Sequence, residues 1–465
     1  MSVAKTLGLP LAGFALVSSV WVPLQPASAQ SAPNDPLWWA PAAIAHAQKM
    51  RVFKDADNAA QSTPSTIPVF EAGPDPSGMI ATYQPRGPTT TSSNAFFQNL
   101  GTNGRSCFTC HQPQTGWGVS AADVQARFTA TSGADPIFRV FDGATCPSDK
   151  VTTLAEKRVA YELLTGRGLI RIGLPMPPNA QFEITHVDDP YKCSNNRSIG
   201  TAGIYSFYRR PLPASNARFL TDLQWDGRQP NLKSQAIMAT LVHEQATIAP
   251  TETQLSQIIS FESGIYTAQD FDANANSLYA LSATGGPRAL SKQAFLESSE
   301  TFDLYSPWAK LTGRDRVTQA RLSVARGQQL FNANCNSCHD VQDAGDNFYA
   351  AFFNTNVAYA GNANSATPAP PVLDISGLPI FTVQCKLNGV TYFVTDLGRA
   401  MITGQCEDIA NFKVHTLRGL AARAPYFHNG SAATLVDVVS FYNAFLALHL
   451  TEQQKSDLIN FLKTL

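Results

Sequence analysis

The chain has 465 residues, 44% of them hydrophobic, and 34 Lys and Arg against 35 Asp and Glu, a net charge of −1. That is enough apolar material for substantial cores, and there is no basic surplus to draw nucleic acid or an anionic membrane. The 30 glycines and 30 prolines imply much loop.

The first element reads as a leader. Lys5 precedes an apolar stretch from about Leu7 to Leu24, followed by Ala27-Ser28-Ala29, the small-x-small form of an export signal cleaved after Ala29. Pro10 and Pro23 interrupt the stretch, which falls short of the roughly 20 apolar residues a span needs. An exported, periplasmic protein with no membrane span in its mature chain is expected. Residues 30–93 are rich in Pro, Ser, Thr and Ala and read as an arm and linker with little core.

The stretch NGRSCFTCHQP, residues 103–113, then places Cys107 and Cys110 two residues apart with His111 directly after. A structural zinc site or a disulfide turn can use Cys-x-x-Cys but has no need of the adjacent histidine. Cys-x-x-Cys-His is the attachment pattern of c-type haem: two thiols add to the vinyl groups and the next imidazole lies beneath the iron. A second copy, Cys335, Cys338 and His339, follows an apolar-periodic run, ARGQQLF, that reads as a short amphipathic helix. Two copies in a chain with 8 cysteines make two covalent haems the expectation, with His111 and His339 as iron ligands.

Cys146, Cys193, Cys385 and Cys406 remain, one pair in each half, and the expected disulfides are 146–193 and 385–406, which suits an oxidising compartment. Between the motifs, residues from about 126 to 215 carry strand-like runs and read as an elaboration of the first unit. LKSQAIMATLVHEQA and TETQLSQIISFESGIY have helical patterns, and the second unit begins near Arg314. At the C-terminus, Thr451 and Gln454 have capping-box spacing, and Leu458, Ile459, Leu462 and Leu465 form one apolar stripe. The fold class expected is mainly α: two c-type cytochrome haem domains, 94–313 with a loop-rich, partly β insertion at about 126–215, and 314–465.

TLRGLAARAPYFHNGSAATLVDVVSFYN (416–443), taken with WDGR (225–228) and the two Cys-x-x-Cys-His motifs, resembles the bacterial di-haem cytochrome c peroxidases and their relative, the methylamine-utilisation di-haem enzyme. The resemblance covers roughly residues 94–125 and 219–465. It implies that hydrogen peroxide reacts at the N-terminal haem, and that the C-terminal haem takes up or stores electrons from a small periplasmic donor of the cytochrome c or cupredoxin type. Trp225 matches a tryptophan between the haems, which implies a relay role that a place in the core does not exclude, and Gln235 matches a glutamine of the peroxide pocket. The family's acid falls where this chain has Gln245, so the neighbouring Glu244 or His243 is the candidate for the proton transfer that O–O cleavage requires.

Other positions depart from the pattern. No histidine lies between His111 and His186, so the first haem is expected to be open on its distal side, with His186 the remaining candidate ligand. The family's sixth ligand of the second haem falls at Ala410; the substitutes are Met401, favoured slightly, and His415. His428 is expected near the second haem or the interface, not on iron. The family also holds a calcium ion between its domains, and with no ligand set matched here calcium is left open. Two alternative functions stand beside the peroxidase: an enzyme oxidising a protein or organic substrate through a stored high-valent state, and a non-enzymatic di-haem electron carrier.

Overall fold

The computed structural model describes residues 63–193, 204–349, 351–360 and 373–465. The expected leader, residues 1–29, lies outside the described residues. No helix among those described is long and apolar enough to cross a membrane.

The fold mixes helix and strand, which corrects the mainly α expectation: among the described residues, five small sheets stand among the helices. The reason is visible in runs such as Ile204–Arg209 (IYSFYR) and Ile380–Cys385 (IFTVQC), whose aromatic and β-branched residues favour a half-buried strand over a helix.

Residues expected to form a coreless arm contribute to one of these sheets. Phe70–Asp75 and Gly78–Tyr83 make a hairpin, and the second strand pairs antiparallel with Tyr266–Asp272. Asp75 turns the chain by accepting the N–H groups of Ser77 and Gly78 at 2.9 and 2.7 Å. Gly78 sits at φ +152°, where a Cβ would run into the Phe271 carbonyl. Composition suggested a linker because Pro, Ser and Asp serve turns as well as linkers. The hairpin also reaches the first haem motif: Thr82 Oγ1 accepts the indole N–H of fully buried Trp117 at 2.8 Å.

The long helix Arg316–Cys335 carries the second motif at its end and packs on the terminal helix Glu452–Leu462 around Phe331 and Phe461. Gly327 permits the close approach, since a Cβ there would meet the Asp457 carbonyl. The terminal helix is capped as its sequence predicts, Thr451 Oγ1 accepting from Gln454 N–H and Gln454 Oε1 from Thr451 N–H. Leu458, Leu462 and Leu465 are buried and Ile459 is partly so.

A three-stranded sheet crosses the boundary expected near residue 314. Phe182–Asp188, inside the 126–215 segment, pairs antiparallel with Ile380–Cys385, which pairs in turn with Thr391–Val394. Both expected disulfides are present, Cys146–Cys193 and Cys385–Cys406.

Candidate functional site

The two haem motifs adopt the same local geometry. His111 N–H donates to the Cys107 carbonyl and His339 N–H to the Cys335 carbonyl, each at 3.0 Å, so each motif closes on itself as a single helical turn. Nδ1–H of His111 donates to the Trp117 carbonyl, and Nδ1–H of His339 to the Gly345 carbonyl, each at 2.7 Å. In both the acceptor lies six residues on. The bond fixes the tautomer and leaves Nε2 with its lone pair, the form in which imidazole binds iron. Burial lowers both rings, His339 to about 4, so both are neutral near pH 7. Cys107, Cys110, Cys335 and Cys338 are free while the other four cysteines are bridged. Thioether attachment needs that state, and the disulfide-turn reading does not.

Beside Cys107, Cys110 and His111 opens a cavity of about 1230 Å³, mouth included. Apolar side chains of Leu220, Leu223, Leu232, Ala236 and Ile258 supply much of its wall. Its polar rim is unsatisfied: Arg210 Nη1, His415 Nε2, Gln235 Oε1 and Glu262 Oε2 are buried with no hydrogen-bond partner among the described residues. Burial, with Arg423 nearby, lowers the Arg210 guanidinium to about 9, the mark of a cation short of an anion. A haem is a flat apolar ring carrying two carboxylates; the walls fit the ring, and the unpartnered Nη1 of the Arg210 guanidinium fits a carboxylate.

The helix Leu232–Val242 begins at Asn231, whose side chain accepts Ser234 N–H, and lays one face along this cavity. Leu232, Gln235, Ala236, Ala239 and His243 line it, the spacing of a single helical stripe. A smaller adjoining cavity shares Gln235, Ala239 and His243 and is walled on its other side by Phe141, Arg171, Ile172 and Leu174. The 126–215 segment thus forms part of the approach to the cavity.

Of the two proton-transfer candidates, His243 has its side chain 32% exposed, with Nδ1 2.9 Å from Asp142 Oδ2. Glu244 turns the other way. Its Oε2 accepts Leu100 N–H at 2.9 Å and its Oε1 lies 3.6 Å from Cys107 Sγ. Burial pushes its carboxyl up to about 8 against the pull of those partners and of Arg105. Gln245, the family's acid position, takes φ +52° and is tied to the loop before the motif, its carbonyl accepting from Thr102 Oγ1.

Trp225 also lines the cavity, half-buried, its indole N–H donating to the Arg210 carbonyl at 2.8 Å. Its ring packs edge-on against His415 at 4.9 Å and His428 at 6.1 Å, and His428 stacks on Phe412 at 3.9 Å. The WDGR turn is held by Asp226, which burial alone would raise but which Arg228 and Arg209 hold down at about 2. His428 is buried, and its carbonyl accepts Arg210 N–H at 2.7 Å.

The two sixth-ligand candidates are not gathered at the second motif. Met401 is buried with Phe381, Leu397 and Ile402 in the core of the three-stranded sheet, a different cluster from that of Phe331 and Cys335. His415 lines the first cavity. His186 is exposed on the strand Phe182–Asp188 and lines neither cavity. Among the described residues no cluster of three His, Cys, Asp or Glu groups could hold a metal ion, so calcium gains no ligand set.

Sequence reasoning missed Asp142, Arg105, Arg210 and Glu262. Arg210 had a faint signal, an Arg-Arg pair ending an apolar run; the others had none.

Residues 324–376 match the cytochrome c family. The cytochrome-c peroxidase IdrP1 of Denitromonas iodatirespirans is 30% identical over 30% of this chain and 39% of its own length. IdrP2 of the same organism is 26% identical over 60% of this chain and 74% of its own. The methylamine utilization protein MauG of Paracoccus denitrificans is 23% identical over 54% of this chain and 60% of its own. A solved MauG-like protein associated with microbial copper homeostasis aligns over 55% of this chain and 73% of its own, at 21% identity and a TM-score of 0.33. The chain spans well under half of the first of these relatives and about three quarters of the second. In its haem-attachment motifs, its Ala-Pro-Tyr-Phe-His signature and these relatives, the chain is similar to the bacterial di-haem cytochrome c peroxidases, MauG included.

Proposed function

We propose that this chain is a periplasmic di-haem c-type oxidoreductase that reduces hydrogen peroxide in the cavity beside His111, drawing electrons through the His339 unit from a small soluble donor. A haem held by Cys107, Cys110 and His111 would supply the iron at which peroxide is bound and reduced. The observation that carries the reading is the helix face that sets Gln235 and His243 along the cavity lined by His111. Reduction of one peroxide to two waters consumes two electrons and two protons, so the cavity needs a group that moves protons. His243 can take a proton from one peroxide oxygen and return it to the other. Glu244, protonated near neutral pH and lining the same cavity on the Cys107 side, can be a second source of protons. Gln235, its carbonyl oxygen unpartnered, can accept a hydrogen bond from the bound peroxide and orient it. Trp225 and His415 give an aromatic bridge from the cavity toward the second half.

The test is rapid mixing of the oxidised di-haem protein with peroxide. Reaction without prior reduction is expected, together with cyanide binding at an open, high-spin haem. His243→Gln should slow the peroxide step by roughly 10²- to 10⁴-fold. Trp225→Phe should leave that step intact and slow re-reduction by the donor protein. A parent protein inert to peroxide, with both haems low-spin, would replace this reading with an electron carrier.

A further inference from the structure

The segment 126–215 lies outside the family resemblance, yet it places a carboxylate in the wall of the first cavity. Asp142 belongs to the single turn Val140–Gly143 and is 2% exposed. Arg105, two residues before the first haem-attaching cysteine, holds it: Nη1 donates to Oδ1 at 2.7 Å and to Oδ2 at 2.8 Å. The rest of that guanidinium is fixed by the carbonyls of Pro136, from Nε at 2.7 Å, and Ile137, from Nη2 at 2.6 Å. The second face of the carboxylate meets His243 Nδ1 at 2.9 Å. The ring of Phe141, over which the Arg105 guanidinium lies at 5.4 Å, stands 6.4 Å from the imidazole of His243.

Burial by itself would raise the Asp142 carboxyl, but Arg105 and His243 hold it below the usual carboxylate range, so it is ionised near neutral pH and can only accept hydrogen bonds. Nδ1 of His243 must then carry a hydrogen, so that in the neutral ring Nε2 keeps the lone pair. The geometry points to Asp142 as a positioning residue for His243: braced by Arg105, its carboxylate fixes the tautomer in which Nε2 can accept a proton, and it stabilises the imidazolium that results. A serine-protease triad uses the same logic. The proton taken from one peroxide oxygen is handed to the other, so the ring ends as it began. This assignment rests on the reading of His243 as the proton-transfer group. It gives the added segment a chemical task besides walling the approach.

Replacing the carboxylate with an amide makes the test. In Asp142→Asn, Arg105 retains the amide oxygen and the NH₂ faces Nδ1, which forces the hydrogen onto Nε2. Two readouts are taken on the haem-loaded protein: the rate of the peroxide step, and the charge-transfer band of the ferric fluoride complex, which reports an N–H donated to the bound anion. Asp142→Asn should slow the peroxide step by roughly 10- to 100-fold and shift the fluoride band. Asp142→Glu should recover part of the rate with the band at its parental position. In a His243→Gln background, Asp142→Asn should add less than about twofold. An unmoved band in Asp142→Asn, or an equal rate loss in both backgrounds, overturns the positioning role. If Asp142→Asn does not fold, a shifted band in Asp142→Glu overturns it instead. Failure of the underlying reading looks different: His243→Gln alone then reacts with peroxide at the parental rate.

Discussion

Glu262 offers a quantitative test of the first cavity. It ends the helix Glu252–Glu262 and is 5% exposed, with Oε2 unpartnered, and burial alone pushes its carboxyl from 4.5 to about 8. Because the folded value lies above the unfolded one, the folded state holds a proton that the unfolded state has released. Its contribution to stability is full below the unfolded value of 4.5 and is lost as pH rises through about 8. At about 1.4 kcal/mol per pH unit, the swing across that window has a ceiling near ~5 kcal/mol. Glu262→Gln copies the protonated side chain at every pH. The variant should match the parent in thermal unfolding near pH 4.5 and be progressively more stable than it toward pH 8.5. Other titrating groups, Glu244 among them, are common to both proteins and cancel in the difference. A parent-minus-variant difference that stays flat from pH 4.5 to 8.5, or that grows in the parent's favour, refutes a buried, unpartnered carboxyl in this wall.

Two further outcomes are expected. Cys107→Ala combined with Cys110→Ala should reduce the covalent haem count, read by mass spectrometry of denatured protein, from two per chain to one, the survivor on the Cys335 motif. The disulfides close segments separated by 47 and 21 residues, so replacing either pair with serine should lower stability by ~4 kcal/mol for Cys146–Cys193 and ~3 kcal/mol for Cys385–Cys406, measured by denaturant unfolding.

The sequence exposed whatever depends on short-range chemistry. Cys-x-x-Cys-His is a local pattern because the turn that presents both thiols and the imidazole is itself local. The Thr451–Gln454 cap and the apolar stripe after it are legible for the same reason. Gln235 and His243 could be read as one stripe, since helical spacing alone puts them on one face. Asp142 could not, because its meaning depends on a contact 101 residues away in the chain. The 63–93 stretch was misread because composition reports turn content but not which strand will pair. Glu244 and His243 are adjacent and look equivalent, yet the helix ends at Val242, and the chain turns at the pair. Each therefore faces a different wall, a distinction that no residue-type argument contains.

The strand pairing between Phe182–Asp188 and Ile380–Cys385 bears on how the two halves that carry the Cys-x-x-Cys-His motifs can move. Arg209 reinforces it: fully buried, it forks onto Asp396 at 2.6 and 2.8 Å and onto Asp226 of the WDGR turn. Swinging one half away from the other would break a ladder and strand a buried guanidinium, at a cost of roughly 3–5 kcal/mol for the ion pair alone. Trp225 follows Gln224 and precedes Asp226, so it is anchored in the same frame. On the proposed function, electron passage between the halves would then run through a fixed wire rather than a hinged contact. Its rate should follow the driving force between the two motifs and show little dependence on solvent viscosity.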